Sequence, residues 1–163
     1  MPKLRVVYAV TLCVAFALLS TSFLSGFITG VRPCQLCLIT RYLYLSTFAL
    51  SALSLRRWVP GSFVLASVFL TFAFGIYHLG VESHWWTGPQ SCVAKLPTID
   101  MTVEILGDKI KDTKSYCDQI NWKIFGLSST LWSCAISALL FWITSLAYTL
   151  DIYIRKLGAA SQR

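Results

Sequence analysis

The sequence predicts an all-α membrane protein, a four-transmembrane-helix bundle with one long loop between its third and fourth helices. Three observations predict it. Charged residues make up 13% of the 163-residue chain and hydrophobic ones 56%, where an ordinary soluble domain has about 25% and roughly 45–50%. Four apolar stretches, 6–28, 38–55, 63–81 and 127–150, are 23, 18, 19 and 24 residues long and hold one formal charge among them, Arg41. A helix needs about 20 mainly apolar residues to cross a bilayer, so each stretch crosses once. Together they take up about half of the chain, which leaves no room for a soluble catalytic domain.

Lys3 and Arg5 precede the first stretch as they would in a secretory signal. A removable apolar core is only about 7–15 residues long, so this one is read as a retained span. The connection 29–37 is short and contains Pro33, and 56–62 is a basic turn with Pro60 and Gly61. Connections this short make neighbouring helices antiparallel. Only 82–126 is a sizeable segment outside the spans. Within it Ile99, Val103, Leu106 and Ile110 recur at spacings of 4, 3 and 4 with charges between them. That pattern predicts a short amphipathic helix, lying on the membrane or packed on the end of the bundle. With no internal repeat, low-complexity tract or linker, the chain reads as a single integral membrane domain, 1–163.

The net charge of +7 does not require nucleic acid. Lys3, Arg5, Arg56, Arg57, Arg155, Lys156 and Arg163 fall at alternate ends of the spans, while six basic residues on the opposite side are balanced by six acids between Glu82 and Asp118. Near the span ends only Arg32 and Lys123 oppose the first set. Lysine and arginine mark cytoplasmic loops, so both termini are expected inside and 82–126 in the opposite compartment.

The six cysteines fall into two groups. Cys13 and Cys134 lie within apolar spans, where a cysteine behaves as a small hydrophobe. Cys34, Cys37, Cys92 and Cys117 lie in the two outward connections. In an oxidising compartment such thiols pair, and four of them allow three connectivities. Spacing favours Cys34–Cys37 with Cys92–Cys117. Cys34-Gln35-Leu36-Cys37 is a Cys-x-x-Cys at the mouth of the second span, a spacing suited to reversible redox chemistry. The amide groups and dipole of that helix start favour a thiolate, most directly at Cys37.

Arg41 stands four residues after Cys37, on the same helix face and one turn deeper. A guanidinium costs roughly 2.5–3.5 kcal/mol at the centre of a span even on insertion scales. Snorkelling to the interface is the plain explanation, but beside the cysteines the residue reads as a cation able to hold a thiolate or an anionic ring oxygen. His78 and Glu82 form an i, i+4 pair at the outward end of the third span, with His84, Trp85 and Trp86 following. The tryptophans read as an interfacial belt. His78 can hydrogen-bond a bound carbonyl, shuttle a proton, or bond a neighbouring helix.

These residues resemble the DsbB disulfide bond formation family. The resemblance is carried by Pro33-Cys34-Gln35-Leu36-Cys37 with Arg41, Gly75-Ile76-Tyr77-His78 through Glu82, Trp86-Thr87-Gly88-Pro89-Gln90-Ser91-Cys92, Cys117-Asp118, and Phe125-Gly126-Leu127-Ser128. They occur in the family's order and cover roughly 12–150. The resemblance implies a bacterial inner-membrane protein-dithiol:quinone oxidoreductase with both termini cytoplasmic and its redox loops periplasmic. It would reoxidise a DsbA-like periplasmic thioredoxin-fold protein and reduce membrane ubiquinone or menaquinone. It further implies redox-active disulfides Cys34–Cys37 and Cys92–Cys117. Cys92 would form the mixed disulfide with the partner, Cys117 would relay to Cys34, and Cys37 would engage the quinone beside Arg41, with His78 as a further quinone contact. The chain departs from the family at Thr40, where many relatives carry a longer Gln or Glu.

Two rivals belong to other classes. A membrane metal-binding or transport protein would use the four thiolates as ligands. Structural tetrathiolate sites come from two close pairs, whereas 24 residues separate Cys92 from Cys117, and the thiols would have to be reduced, so no metal is expected. A non-enzymatic scaffold stapled by two disulfides would have no use for Arg41 beside Cys-x-x-Cys. Among thiol–quinone enzymes, the order of the cysteine pairs and the Arg41 spacing favour the DsbB-like arrangement over the vitamin K epoxide reductase type.

Overall fold

A computed structural model describes residues 2–30, 33–89, 92, 117, 120 and 123–160. They form four helices, α1 (Pro2–Thr29), α2 (Gln35–Leu55), α3 (Gly61–Glu82) and α4 (Ser129–Ala160), with a two-stranded hairpin, β1 (Lys123–Ile124) and β2 (Leu127–Ser128), ahead of α4. The amphipathic segment predicted over 99–110 lies outside the described residues. All four helices are long and apolar enough to cross a membrane. Even α2, with 21 residues, is about 32 Å long at 1.5 Å per residue, enough for a hydrocarbon core of about 30 Å.

The helices pack in a ring, α1 on α2, α2 on α3, α3 on α4 and α4 back on α1. Bulk and polarity are distributed as lipid demands. Phe16, Phe23, Phe27, Trp142 and Leu146 face outward, while Thr11, Ala15, Thr47, Ser51, Thr71, Ser137 and Thr144 are buried between helices. Lipid tails are as apolar as leucine, so association rests on close approach of small residues and on interhelical hydrogen bonds. The buried hydroxyls mostly turn back on their own helices, as Thr71 does to the Ser67 carbonyl at 2.8 Å and Thr144 to that of Leu140 at 2.7 Å. Tyr44 is different. Its hydroxyl reaches from α2 to α4 and meets both Ser133 Oγ and Ser137 Oγ at 2.7 Å. Thr47 on α2 meets Thr71 on α3 at 3.3 Å, one turn further along.

The helices extend beyond the predicted spans at most ends, because hydropathy marks where lipid lies while hydrogen bonding continues into the headgroup region. α1 starts at Pro2 rather than 6, and α4 continues ten residues past 150 to Ala160. In that extension Arg155 Nε donates to Asp151 at 2.7 Å, one helical turn apart. The fourth span departs from expectation at its start. Leu127 and Ser128, predicted as its first residues, pair instead with Ile124 and Lys123. Phe125 and Gly126 form the turn with φ of 52° and 81°, the left-handed pair that a two-residue hairpin of this kind needs. Ser128 then accepts the Leu131 N–H at 3.1 Å and so caps α4.

If the Tyr44 bridge holds α2 to α4, Tyr44→Phe should lower stability by about 1–2 kcal/mol, the scale of interhelical hydrogen bonds in membranes. Equilibrium unfolding in mixed micelles measures it. A loss of the same size from Thr149→Val, whose hydroxyl serves only its own helix at an exposed position, would show that no interhelical bond is involved.

Candidate functional site

Pro33 cannot donate a backbone hydrogen bond and biases the preceding residue toward extended conformation. Cys34 follows it with φ −66° and ψ 165°, the extended geometry of a residue just ahead of a helix, and its sulfur accepts the Cys37 N–H at 3.1 Å. One cysteine therefore caps the helix on whose first turn the other sits. Their sulfurs stand 2.6 Å apart as free thiols. The hydrogen bond to Cys37, followed by burial, pushes the Cys34 thiol up to about 12, so Cys34 keeps its proton at neutral pH and any negative charge on the pair falls to Cys37.

The structure brings together the residues that the sequence spreads over 84 positions. Cys34, Cys92 and Cys117 are 3%, 2% and 1% exposed and form one cluster with Leu36 and Val81, against which Cys37, Phe74 and Tyr77 pack. The Cys117 N–H donates to the Cys92 carbonyl at 2.7 Å, and Cys92 Sγ lies 3.6 Å from Gln35 Oε1. Burial pushes the Cys117 thiol up, and the neighbouring thiols of Cys92 and Cys34 push it the same way.

His78, on α3, is 6% exposed and faces both sulfurs of the Cys-x-x-Cys, with Nε2 at 3.8 Å from Cys34 and 4.0 Å from Cys37. Of the three roles weighed from sequence, the geometry puts His78 at the thiols. Glu82 ends α3 one turn beyond it. Arg41 is anchored on α1, where Nε donates to Ser22 Oγ at 2.8 Å, an Nη donates to the Ser22 carbonyl at 2.6 Å, and the guanidinium lies 4.7 Å from the centre of the Phe23 ring. Among the described residues no carboxylate pairs with it. Arg41, Cys37 and His78 instead line a common cavity of about 390 Å³, walled by all four helices and by Phe125 of the hairpin. Thr40 also lines it and spends its hydroxyl on the Leu36 carbonyl at 2.9 Å.

Sequence reasoning missed, among other lining residues, two polar contributors to this cavity, Tyr44 and Ser22. Tyr44 continues the Cys37, Arg41 stripe at i+7 and could have been found by helical spacing. Ser22 could not, because only packing of α1 on α2 places it under the guanidinium. Neither lone cysteine lines the cavity. Cys13 is exposed on the outer face of the bundle, and Cys134 is buried where α4 passes Gly75.

Trp86 folds back over the end of α3. Its indole N–H donates to the Tyr77 carbonyl at 3.0 Å and its ring stacks on Tyr77 at 9°. Gly80 makes room for it, since a Cβ there would lie 2.0 Å from the Trp86 ring. Trp85 beside it is 68% exposed.

Four apolar spans, with a Cys-x-x-Cys capping the second and two further cysteines packed onto it, define a membrane thiol–disulfide protein. The family model for disulfide bond formation protein DsbB matches residues 4–147, most of the chain. The chain belongs to the DsbB family. Comparison with curated proteins gives no match. Family membership makes the protein a membrane oxidoreductase of disulfide bond formation, and it implies a thiol–disulfide partner and a membrane quinone. The residues fit a quinone. The cavity has the size of small-molecule pockets, roughly 300–1,000 Å³, with apolar walls such as Leu18, Trp132 and Ile136 and with polar groups at Cys37, Arg41, His78 and Tyr44.

Because Gly80 is there for the indole, Gly80→Ala should destabilise the protein by about 1–2 kcal/mol when Trp86 is present, through the lost hydrogen bond and stacking. In a Trp86→Ala background the same change should stabilise by up to about 1 kcal/mol, because alanine favours the helix. A double-mutant cycle of unfolding free energies reads the reversal of sign.

Proposed function

We propose that the protein reoxidises a DsbA-like thioredoxin-fold protein in the periplasm and passes the electrons to ubiquinone or menaquinone in the bacterial inner membrane. Both termini lie in the cytoplasm and the cysteine end of the bundle faces the periplasm, a reading supported by the basic residues at the opposite end. One observation carries it. Cys117 is buried in one cluster with Cys92 and Cys34, and Cys37, packed against that cluster, lines the cavity together with Arg41 and His78.

The cycle begins with both pairs as disulfides, Cys92–Cys117 and Cys34–Cys37. A partner thiolate attacks Cys92, forming a mixed disulfide and releasing Cys117 as a thiolate. Cys117 attacks Cys34, and the Cys34–Cys37 bond breaks with its electron pair on Cys37. The partner's second thiol then attacks the mixed disulfide, which frees the oxidised partner and leaves Cys92 reduced. Cys92 then attacks Cys117, which re-forms Cys92–Cys117 and releases Cys34, so two electrons have moved from the partner's dithiol to the Cys34–Cys37 pair, and thiol–disulfide exchange accounts for each transfer. Bound in the cavity, a quinone supplies the acceptor for two electrons and two protons.

The chain's own groups suit the last thiol to its task. Amides of the first turn of α2 and the positive end of its dipole favour negative charge at Cys37. Arg41, held by Ser22, adds a fixed positive charge one turn deeper. His78 Nε2 is placed to hold a proton beside either sulfur and pass it into the cavity. Burial of Cys34 and Cys117 keeps water from those two sulfurs during exchange.

Quinone reduction by the purified protein in detergent, with a reduced thioredoxin-fold donor, tests the reading. Turnover should fall to background in Cys37→Ser and persist in Cys13→Ala. Wild-type protein that reduces neither ubiquinone nor menaquinone would refute it. Arg41→Ala should raise KM for quinone about tenfold, equivalent to ~1.4 kcal/mol, and an unchanged KM would remove Arg41 from quinone binding. With reduced partner, Cys117→Ala should accumulate a DTT-sensitive adduct through Cys92. An adduct through Cys34 instead would reverse the order of the pairs.

A further inference from the structure

The corner that holds the Cys-x-x-Cys also assembles a ligand set that sequence spacing conceals. Counted along the chain, the four outward thiols make a poor metal site, but the fold adds a histidine from another helix. Cys34 Sγ, Cys37 Sγ and His78 Nε2 all lie within 4.8 Å of one another. In a tetrahedral zinc centre, with Zn–S about 2.3 Å and Zn–N about 2.0–2.1 Å, neighbouring ligand atoms are roughly 3.5–3.8 Å apart. The two imidazole–sulfur separations, 3.8 and 4.0 Å, are close to that already. Only the sulfur–sulfur separation of 2.6 Å has to open, by about 1 Å of side-chain rotation.

We propose that the reduced Cys34–Cys37 pair and His78 form a redox-gated site for a borderline-soft divalent cation of the zinc class. Uptake is an exchange without electron transfer, in which two thiols lose their protons, two metal–sulfur bonds and one metal–nitrogen bond form, and two protons leave. The oxidised pair has no thiolate to give and does not bind. Charge favours the complex at this depth, because two thiolates, a neutral imidazole and a dication sum to zero and avoid the cost of burying unpaired charge. The backbone is already in place, with Cys34 capping α2, Cys37 on its first turn and the imidazole on α3 packed against that helix. Three protein ligands leave the fourth position to water, the arrangement of an open zinc site. A bound ion ties up both thiols, so it withdraws the pair from exchange and halts turnover. That consequence rests on the proposed electron path, whereas the binding itself does not.

The test uses the full chain in detergent with Cys92 and Cys117 replaced by serine, which leaves this one outward pair. Zinc uptake is measured by competition with a chromophoric chelator, and Co2+ is used as a spectroscopic probe. The reduced protein should take up one zinc per chain and the oxidised protein none. Co2+ should give the thiolate-to-metal charge-transfer absorption of two sulfurs in tetrahedral geometry. His78→Gln should weaken binding at least about tenfold, the scale even of outer-shell losses around zinc. Cys34→Ser, which keeps an oxygen to cap α2, should do the same. The proposal is overturned by equal uptake in the oxidised protein, by no stoichiometric uptake in the reduced protein, or by affinity that neither substitution changes. Quinone turnover of the wild type, measured alongside with and without zinc, separates the two readings. Stoichiometric uptake with no turnover under any condition would sink the electron path and leave the metal site standing.

Discussion

The first turn of α2 is the constraint on which the rest depends. A helix that starts at a membrane surface has N–H groups without intrahelical partners, and close to lipid each needs one. Here a partner is a sulfur. Cys34 accepts the Cys37 N–H, so the residue that terminates the connection is also half of the thiol pair. Capping and chemistry are thereby tied together, and the pair is held at the boundary between an aqueous loop and the bundle's interior.

The other helices are arranged around that turn. α3 brings His78 to within 4 Å of both sulfurs, and one turn earlier Gly75 lets α4 pass close, with Cys134 beside it. α4 is held to α2 from the far side by the Tyr44 hydroxyl. The cavity lies between these contacts. It is a product of polar packing, because serine and threonine at the interfaces let helices approach without the bulk that would fill the space. The leucines and phenylalanines that would plug a soluble core are turned outward instead.

The fold was legible because lipid imposes one simple demand on sequence, the absence of charge over about 20 residues. Arg41 is the single violation, and so it marked the site as well as the span. Positions related by spacing along one helix were equally readable, as with Cys34, Cys37 and Arg41. Relations across helices were not. Nothing local to His78 says that it faces α2, and nothing near Ser22 says that a guanidinium will rest on it. The start of α4 was misjudged because Leu127 is apolar in the hairpin as it would be in a span, and only the left-handed Phe125–Gly126 turn sets the two apart.

Among the described residues Arg41 has no opposite charge beside it, and its hold is neutral. The guanidinium has five donors in a fixed fork, and two of the bonds it makes are to Ser22 on the neighbouring helix, to the hydroxyl and to the carbonyl. The Phe23 ring covers it at 4.7 Å, a cation–π contact worth about 2 kcal/mol when desolvated. Together these offset much of the roughly 2.5–3.5 kcal/mol that insertion scales assign to arginine at the centre of a span. Being neutral, they do not themselves cancel the charge. A carboxylate in place of Ser22 would anchor the side chain more firmly and would also extinguish its field. Neutral partners fix the position of the guanidinium while its positive potential still reaches the cavity. This is the condition under which a cation can stabilise negative charge that appears only in passing.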